Sequence, residues 1–211
     1  MNIKRLVVRL TVTIAISFGL TGLLTYGVQA ADIGKVIESC ADCHGKDGAS
    51  KDSSVPIIGG FSAAYANDTM IAYKEEERAC PESEYLTGDK KGKKITMCEI
   101  ADDLDEDEIK EIAEYFAAKP FVRAKQEFNA SLVKKGQELQ DDLCVKCHDK
   151  GGSLASDDSG ILAGQWIPYL RQSFKDYSAG DRPMTKKMKK KYEKLKDDDI
   201  EALIHYFASF Q

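Results

Sequence analysis

The sequence predicts an all-α protein made of two tandem domains. One observation behind this prediction is a motif, C-x-x-C-H, that occurs at residues 40–44 and again at 144–148. The other is an amphipathic helical pattern, with apolar residues at i, i+3, i+4 and i+7, that recurs at 109–117 and 200–208. A chain of 211 residues has room for two domains of roughly 100 residues each.

The first thirty residues have the pattern of a secretory signal peptide. Lys4, Arg5 and Arg9 precede an uncharged, mostly apolar run over 10–24, and Ala30 is a small residue suited to cleavage. We therefore expect residues 1–30 to be removed and the mature chain, with no further membrane segment, to lie in the periplasm, where disulfides persist. An uncleaved anchor is the alternative, because the uncharged stretch 10–31 is long enough to span a bilayer.

The repeated motif is typical of covalent c-type haem attachment. Its two thiols add across the two vinyl groups of one haem, and the imidazole of the next residue reaches the iron. The sequence therefore predicts two covalently bound haem c groups, held by Cys40, Cys43 and His44 and by Cys144, Cys147 and His148. A zinc site is a weaker interpretation, because paired zinc motifs usually lie about 12–20 residues apart. A thioredoxin-like C-x-x-C is also weaker, because it needs no histidine after it.

Equal spacing after the motif indicates that the two halves are copies of one unit. The residues that recur at the same distances from the motif histidines are Tyr65, Tyr73 and Arg78 in the first half and Tyr169, Tyr177 and Arg182 in the second. We expect one domain over 31–118, a linker over 119–131 and a second domain over 132–211. Each domain is small for a core of its own, and a buried haem would supply apolar surface around which it packs.

Methionine is the expected second axial ligand of each haem. Met97 and Met188 lie at the same distance before the terminal helix of their half, so we predict them as the ligands, with Met184 as the fallback in the second half. Met70 is expected in the core. His205 lies between the apolar positions of the last helix and is expected to be exposed there rather than to bind iron.

The two remaining cysteines, Cys80 and Cys98, lie at the two ends of a segment that has no counterpart in the second half. In an oxidising compartment a disulfide between them is favoured. Closing such a loop stabilises a protein by about 3 kcal/mol in the chain-entropy model. A pair of free thiols is the alternative, and a catalytic cysteine is less favoured because no free histidine lies near in sequence.

Charge is distributed unequally along the chain. The overall net charge of −5 argues against nonspecific nucleic-acid binding. Residues 32–118 contain 10 basic and 21 acidic residues, a net of −11, whereas 119–211 contain 17 and 14, a net of +3. A lysine cluster surrounds Met188, and it is either a solvated helix face or a docking surface for an acidic electron-transfer partner.

The second half carries several longer segments with a family resemblance. They are Ala124-Lys125-Gln126-x-Phe128, Ile161-Leu162-Ala163-Gly164-Gln165-Trp166-x-Pro168-Tyr169-Leu170, Arg182-Pro183-Met184-x-Lys186-Lys187-Met188 and Tyr206-Phe207-Ala208-Ser209. With the two haem motifs, this pattern resembles the two-haem class I cytochromes c, and among them the cytochrome subunit of flavocytochrome c sulfide dehydrogenase. The insertion that carries Cys80 and Cys98 departs from that subunit.

The resemblance implies two tandem class I cytochrome c domains, each wrapped around one covalent haem. It also implies a periplasmic complex in which a flavoprotein oxidises sulfide and passes electrons to the haems. The chain itself has no G-x-G-x-x-G after a strand, so we expect no dinucleotide site and no catalytic residue of its own. A free two-haem carrier between other redox proteins is the alternative, and a haem peroxidase with an open sixth position is a less favoured one.

Overall fold

The computed structural model describes residues 32–211, which form nine α-helices and one short β-hairpin. The elements of the first half are α1 (Ile33–His44), α2 (Ala63–Lys74), β1 (Ser83–Glu84), β2 (Lys94–Ile95), α3 (Met97–Asp102) and α4 (Glu106–Ala117). Those of the second half are α5 (Ala130–Leu139), α6 (Asp149–Gly152), α7 (Ile167–Ala179), α8 (Lys186–Tyr192) and α9 (Asp197–Ala208). The predicted all-α class is confirmed, and the antiparallel hairpin lies within the inserted segment.

One hydrophobic cluster joins the helices of the first half. Its buried residues are Leu104, Ile109, Ile112 and Phe116, on or just before α4. One face of α1, formed by Ile33, Val36, Ile37 and Cys40, packs against this cluster, and so does Met70 of α2. The predicted core position of Met70 is therefore confirmed.

A second cluster joins α5, α7 and α9. Its buried residues are Ile167, Leu170, Leu203, Ile204, Tyr206, Phe207 and Ala208. Helices α5 and α9 cross so closely at Gly136 that a Cβ there would collide with the Ala202 carbonyl oxygen and with the Tyr206 side chain. A glycine at this position is therefore required by the close approach of the two backbones.

Acidic residues lie at the start of both terminal helices. Asp105 and Glu108 form a capping box at the start of α4, in which each side chain accepts a hydrogen bond from the other residue's backbone N–H. Asp197, Asp198 and Asp199 occupy the first turn of α9, where negative charge is favoured by the helix dipole. Lys135 of α5 pairs with Asp198 and Asp199, at 2.7 Å each.

The segment between α4 and α5 has no regular secondary structure over 120–129, and it packs against the second half. The backbone N–H of Ala124, which is buried, donates to the Gly164 carbonyl oxygen at 2.8 Å. The Gln126 side chain donates to the Gln165 carbonyl oxygen at 2.8 Å and accepts from the Ile167 N–H at 2.9 Å. These three hydrogen bonds hold the connecting segment in place against the second half.

The two halves are also joined directly by a buried amide contact. The Gln165 side chain accepts a hydrogen bond from the Ile57 N–H and donates one to the Ile57 carbonyl oxygen, both at 2.9 Å. Nearby, the Trp166 indole N–H donates to the Ser50 carbonyl oxygen at 3.3 Å. The side chains of Gln165 and Trp166, in the loop before α7, thus bind the first half through hydrogen bonds to its backbone.

The predicted signal peptide lies outside the described residues. Within residues 32–211, every helix is too short or too polar to cross a bilayer.

Candidate haem sites

The first motif occupies the C-terminal end of α1, where His44 is the last helical residue. The His44 ring is buried, and its Nδ1 lies 3.0 Å from the Pro56 carbonyl oxygen. A carbonyl oxygen can only accept, so Nδ1 carries the proton and Nε2 keeps its lone pair. Burial lowers the pKa of His44, although the Pro56 contact opposes this. The neutral ring is the form that ligates a metal.

The second motif begins at the last residue of a π-helical segment, Gln140–Cys144, that continues α5. The His148 Nδ1 lies 3.2 Å from the Ser159 hydroxyl, which itself donates to the Cys147 carbonyl oxygen at 2.9 Å. Because the hydroxyl proton is used on Cys147, the Ser159 oxygen accepts from Nδ1–H, and Nε2 is again left free. Burial also lowers the pKa of His148. The two histidines therefore present the same atom but are oriented by different partners.

The first thiol of each motif is poorly suited to act as a nucleophile. Burial raises the pKa of Cys40 to about 11, with a further contribution from Cys43. Burial likewise raises the pKa of Cys144 to about 11, although the Lys191 charge opposes it. A thioredoxin-like nucleophile needs a lowered thiol pKa, so these values disfavour the redox-pair interpretation. Among residues 32–211 no three His, Cys, Asp or Glu side chains are grouped to hold a metal ion, so the donor set also disfavours a zinc site.

A cluster of aromatic and cationic side chains lies where the two halves meet, and we call it the Tyr–Arg cluster. Its members are Tyr65, Tyr73, Arg78, Tyr169, Tyr177 and Arg182. Each arginine stacks on a tyrosine of its own half, Arg78 on Tyr73 at 4.5 Å and Arg182 on Tyr177 at 4.6 Å from the ring centroid. Arg182 also crosses between the halves and donates to the Tyr65 hydroxyl at 3.0 Å.

The two arginines of this cluster have no carboxylate partner within residues 32–211, where the ion pairs involve other residues. Their charge acts on the phenols around them. Burial raises the pKa of Tyr169, but Arg182 and then Arg78 outweigh it and lower the pKa to about 8. Two partly buried guanidinium groups without an anion fit a ligand that supplies carboxylates. Haem carries two propionates, so Arg78 and Arg182 are the residues that would hold them.

The candidate methionine ligands lie at the helices that precede α4 and α9. Met97 is the first residue of α3, and Met188 is the third residue of α8, where its N–H donates to the Thr185 hydroxyl at 3.2 Å. Each lies nine residues before the first residue of the terminal helix. Met184 precedes α8 by two residues. The assignment of Met97 and Met188 as ligands, with Met184 as fallback, stays a prediction.

Two other sequence predictions concern residues outside the motifs. Cys80 and Cys98 are joined by a disulfide, with their Cα atoms 5.8 Å apart. The expectation that His205 is exposed is wrong, because its side chain is only 16% exposed. Its Nδ1 accepts a hydrogen bond from the Asn129 N–H at 3.2 Å, which fixes the residue that caps α5. The helical pattern places His205 toward solvent, but a hydrogen bond from a backbone N–H of the connecting segment holds its side chain in a mostly buried position.

Sequence reasoning missed the residues that orient and surround the sites. His44 is oriented by the backbone carbonyl of Pro56, whereas His148 is oriented by the side-chain hydroxyl of Ser159. No residue type is therefore shared between the two halves that would identify these partners in the sequence. In the sequence, Arg78 and Arg182 stand out only as residues that recur at the same position of the repeat. Their equal spacing in both halves, next to tyrosines, was the available signal that they share a role.

Comparison with known proteins agrees with this geometry. Residues 133–211 match the model of the cytochrome c family. Cytochrome c4 of Pseudomonas aeruginosa is 27% identical over 212 residues, which cover 94% of this chain and 96% of that protein. The crystal structure of reduced recombinant cytochrome c4 from Pseudomonas stutzeri superposes with a TM-score of 0.66 at 25% identity, over 85% of this chain and 96% of that one.

The chain has the class I cytochrome c fold. With that fold established, the repeated motif has its usual meaning, and the chain carries two covalently bound haem c groups. It is a two-haem electron-transfer protein similar to cytochrome c4. Thiosulfate dehydrogenase from Marichromatium purpuratum shares the fold, with a TM-score of 0.64 at 24% identity over 81% of this chain and 36% of that one.

Proposed function

We propose that this chain is a free-standing periplasmic carrier that moves single electrons between two other redox proteins. The observation that carries the proposal is that one cluster, formed by Arg78, Arg182 and four tyrosines, joins the two halves, each with its own haem-attachment motif, in a single packed unit. A carrier with two sites needs them close together and fixed in relative position.

Each part of the polypeptide has a defined task in this proposal. His44 and His148 present neutral Nε2 atoms, held in orientation through their Nδ1 protons. Arg78 and Arg182 neutralise the carboxylates of the cofactor inside the protein, which lowers the cost of burying them. The haem supplies the reversible one-electron couple, and the protein sets its axial ligands, charge environment and exposure.

The second candidate is the haem subunit of a sulfide-oxidising flavoprotein complex. It is supported by the resemblance of the second-half segments, including Ile161 to Leu170 and Arg182 to Met188, to the cytochrome subunit of flavocytochrome c sulfide dehydrogenase. The free carrier is favoured because the relatives that align along almost the whole chain are cytochromes c4. The similarity to thiosulfate dehydrogenase concerns the fold and leaves the partner open.

Purification of the native protein from the periplasm tests the proposal. We expect two haems per chain, low-spin optical spectra with a methionine–iron band, two reversible one-electron steps and no flavin in the preparation. Stoichiometric flavin on a second chain would favour the complex over the free carrier. Turnover of hydrogen peroxide by the as-isolated protein would favour the peroxidase interpretation, and a single haem per chain would contradict the two-site proposal.

Histidine variants provide a matched control. His44→Ala and His148→Ala should each remove one of the two low-spin haem spectra, because each deletes one proximal ligand. His205→Gln should retain both, since the His205 side chain bonds to the Asn129 backbone and lies outside the two motifs. Equal spectral losses in all three variants would show that the effect reports folding rather than ligation.

A further inference from the structure

The two haem-attachment motifs differ in their exposure to solvent. In the first motif the residues between the thiols, Ala41 and Asp42, are only partly exposed. In the second motif the residues between the thiols, Val145 and Lys146, are both exposed, and Val145 is one of the exposed large apolar side chains. The two motifs have the same sequence pattern, so their difference in solvent exposure arises from the segments that pack against each of them.

The inserted hairpin covers the first motif. The backbone N–H groups of Leu86 and Thr87 both donate to the Asp42 carbonyl oxygen, at 3.1 and 3.2 Å. The Thr87 hydroxyl donates to the Asp42 carboxylate at 3.0 Å. Gly88 packs so tightly on that carboxylate that a Cβ at position 88 would collide with it. The Cys43 sulfur lies 3.7 Å from the Glu84 carbonyl oxygen.

The hairpin is held as a fixed element. The Cys80–Cys98 disulfide closes its base, and β1 pairs with β2 in antiparallel register, Ser83 with Ile95. Tyr85 on its inner side is 5% exposed, so it anchors the hairpin in the protein interior. A covered surface under a closed, anchored hairpin is unsuited to repeated docking and release of another protein.

The second motif has a cationic helix beside it in place of a hairpin. Five of the seven residues of α8 are lysines, and the Lys191 ammonium donates to the Asp142 carbonyl oxygen at 3.5 Å, just before the motif. Lys186, Lys187, Lys189 and Lys190 are exposed. Within residues 32–211 none of the α8 lysines takes part in an ion pair.

We propose that the hairpin closes the first motif to protein partners and that an acidic redox protein docks on α8 and the open second motif. The occupant is acidic because the exposed charge of α8 is entirely positive, and complementary charge steers such encounters. The exposed Val145 of the second motif adds apolar area to that surface. This inference rests on the proposed carrier function and adds which half receives the partner.

Paired charge reversals at the two motifs test the inference. Lys187→Glu with Lys190→Glu alters α8, and the matched control, Lys91→Glu with Lys93→Glu, makes the same charge change on exposed lysines of the hairpin. Binding of oxidised flavodoxin, used as an acidic redox probe, is measured by calorimetry at about 0.01 M ionic strength, where the Debye length is about 30 Å. Carbodiimide cross-linking to the same probe, followed by peptide mapping, locates the contact.

We expect the α8 pair to weaken binding about tenfold, and the hairpin pair less than about twofold. Cross-links should map to α8, and the difference between the pairs should vanish at high salt. Equal losses in the two pairs, cross-links on the hairpin, or no binding by the unmodified chain would overturn the inference. So would unchanged flavodoxin binding together with loss of binding to anionic phosphatidylglycerol vesicles, which would make α8 a lipid contact.

The same samples separate this inference from the proposed function. Both variants should keep two low-spin haem spectra and two one-electron steps, because the altered lysines lie on the surface. If those spectra are intact and the α8 pair binds the probe normally, the docking inference fails while the carrier function stands.

Discussion

Replacement of Gln165 by leucine tests how strongly the two halves are joined. Gln165 is fully buried and makes two hydrogen bonds, both at 2.9 Å, with the N–H and carbonyl groups of Ile57, which is 1% exposed. Leucine has a similar volume, so Gln165→Leu removes the polar contact while largely preserving packing. The Ile57 N–H and carbonyl groups would then be buried without a partner.

The magnitude follows from those two orphaned groups. Each buried backbone group that loses its partner costs about 1–3 kcal/mol, which gives about 2–6 kcal/mol in total. We expect a value near the lower end, about 3 kcal/mol, because the loop can relax around the leucine. For a chain of this size, 1 kcal/mol shifts the melting temperature by about 2–4 °C, so the melting temperature should fall by about 6–12 °C.

Thermal unfolding of the haem-containing protein, followed by far-UV circular dichroism, measures this change. The control is Gln172→Leu on α7, where an exposed glutamine donates to the Asp176 carboxylate one helical turn away, at 2.7 Å. The Gln172–Asp176 pair should contribute no more than about 0.5 kcal/mol to the free energy of unfolding. A Gln165→Leu protein that melts within about 2 °C of the control would refute the view that this amide contact joins the halves.

Three further predictions concern the cofactor sites and the hairpin. Met188→Ala should convert one haem to high spin, whereas Met184→Ala should leave both haems low-spin, as judged by the methionine–iron optical band. The reverse result would show that Met184, not Met188, is the ligand. Ser159→Ala should raise the reduction potential of the second haem alone in a potentiometric titration, because His148 loses the acceptor that increases its basicity; equal shifts of both haems would contradict that role. Double replacement of Cys80 and Cys98 by serine should lower the free energy of unfolding by about 3 kcal/mol in urea titrations, whereas an unchanged midpoint would contradict a stabilising bridge.

Local sequence signals predicted the helices and the attachment motifs well. The apolar positions Ile109, Ile112 and Phe116 recur with helical spacing, and Asp105 with Glu108 marks where that helix begins. Each of these features depends on residues within one or two turns of one another, so it is visible in a linear pattern. The motif is local for the same reason, because both thiols and the imidazole must reach one cofactor.

The contacts between the halves could not be predicted in this way. Gln165 and Ile57 are 108 residues apart, and a buried glutamine that bonds to a backbone leaves no residue-type pattern at its partner. Arg182 and Tyr65 are 117 residues apart, and their pairing depends on how the two copies pack. Such contacts depend on how two distant segments pack against each other, so periodicity in either half carries no information about them.

The two halves carry the same attachment motif, and the structure shows three local differences between them. His44 donates to a carbonyl oxygen, whereas His148 donates to a hydroxyl, a weaker acceptor. Because a stronger acceptor makes the imidazole a better donor to iron and stabilises the ferric state, the first haem should have the lower potential if other influences are equal. A hairpin covers the motif of that first half, and the second motif is open beside the lysines of α8. With potentials in this order, electrons within the chain would settle on the second haem, whose attachment motif lies beside the α8 surface where a partner would collect them.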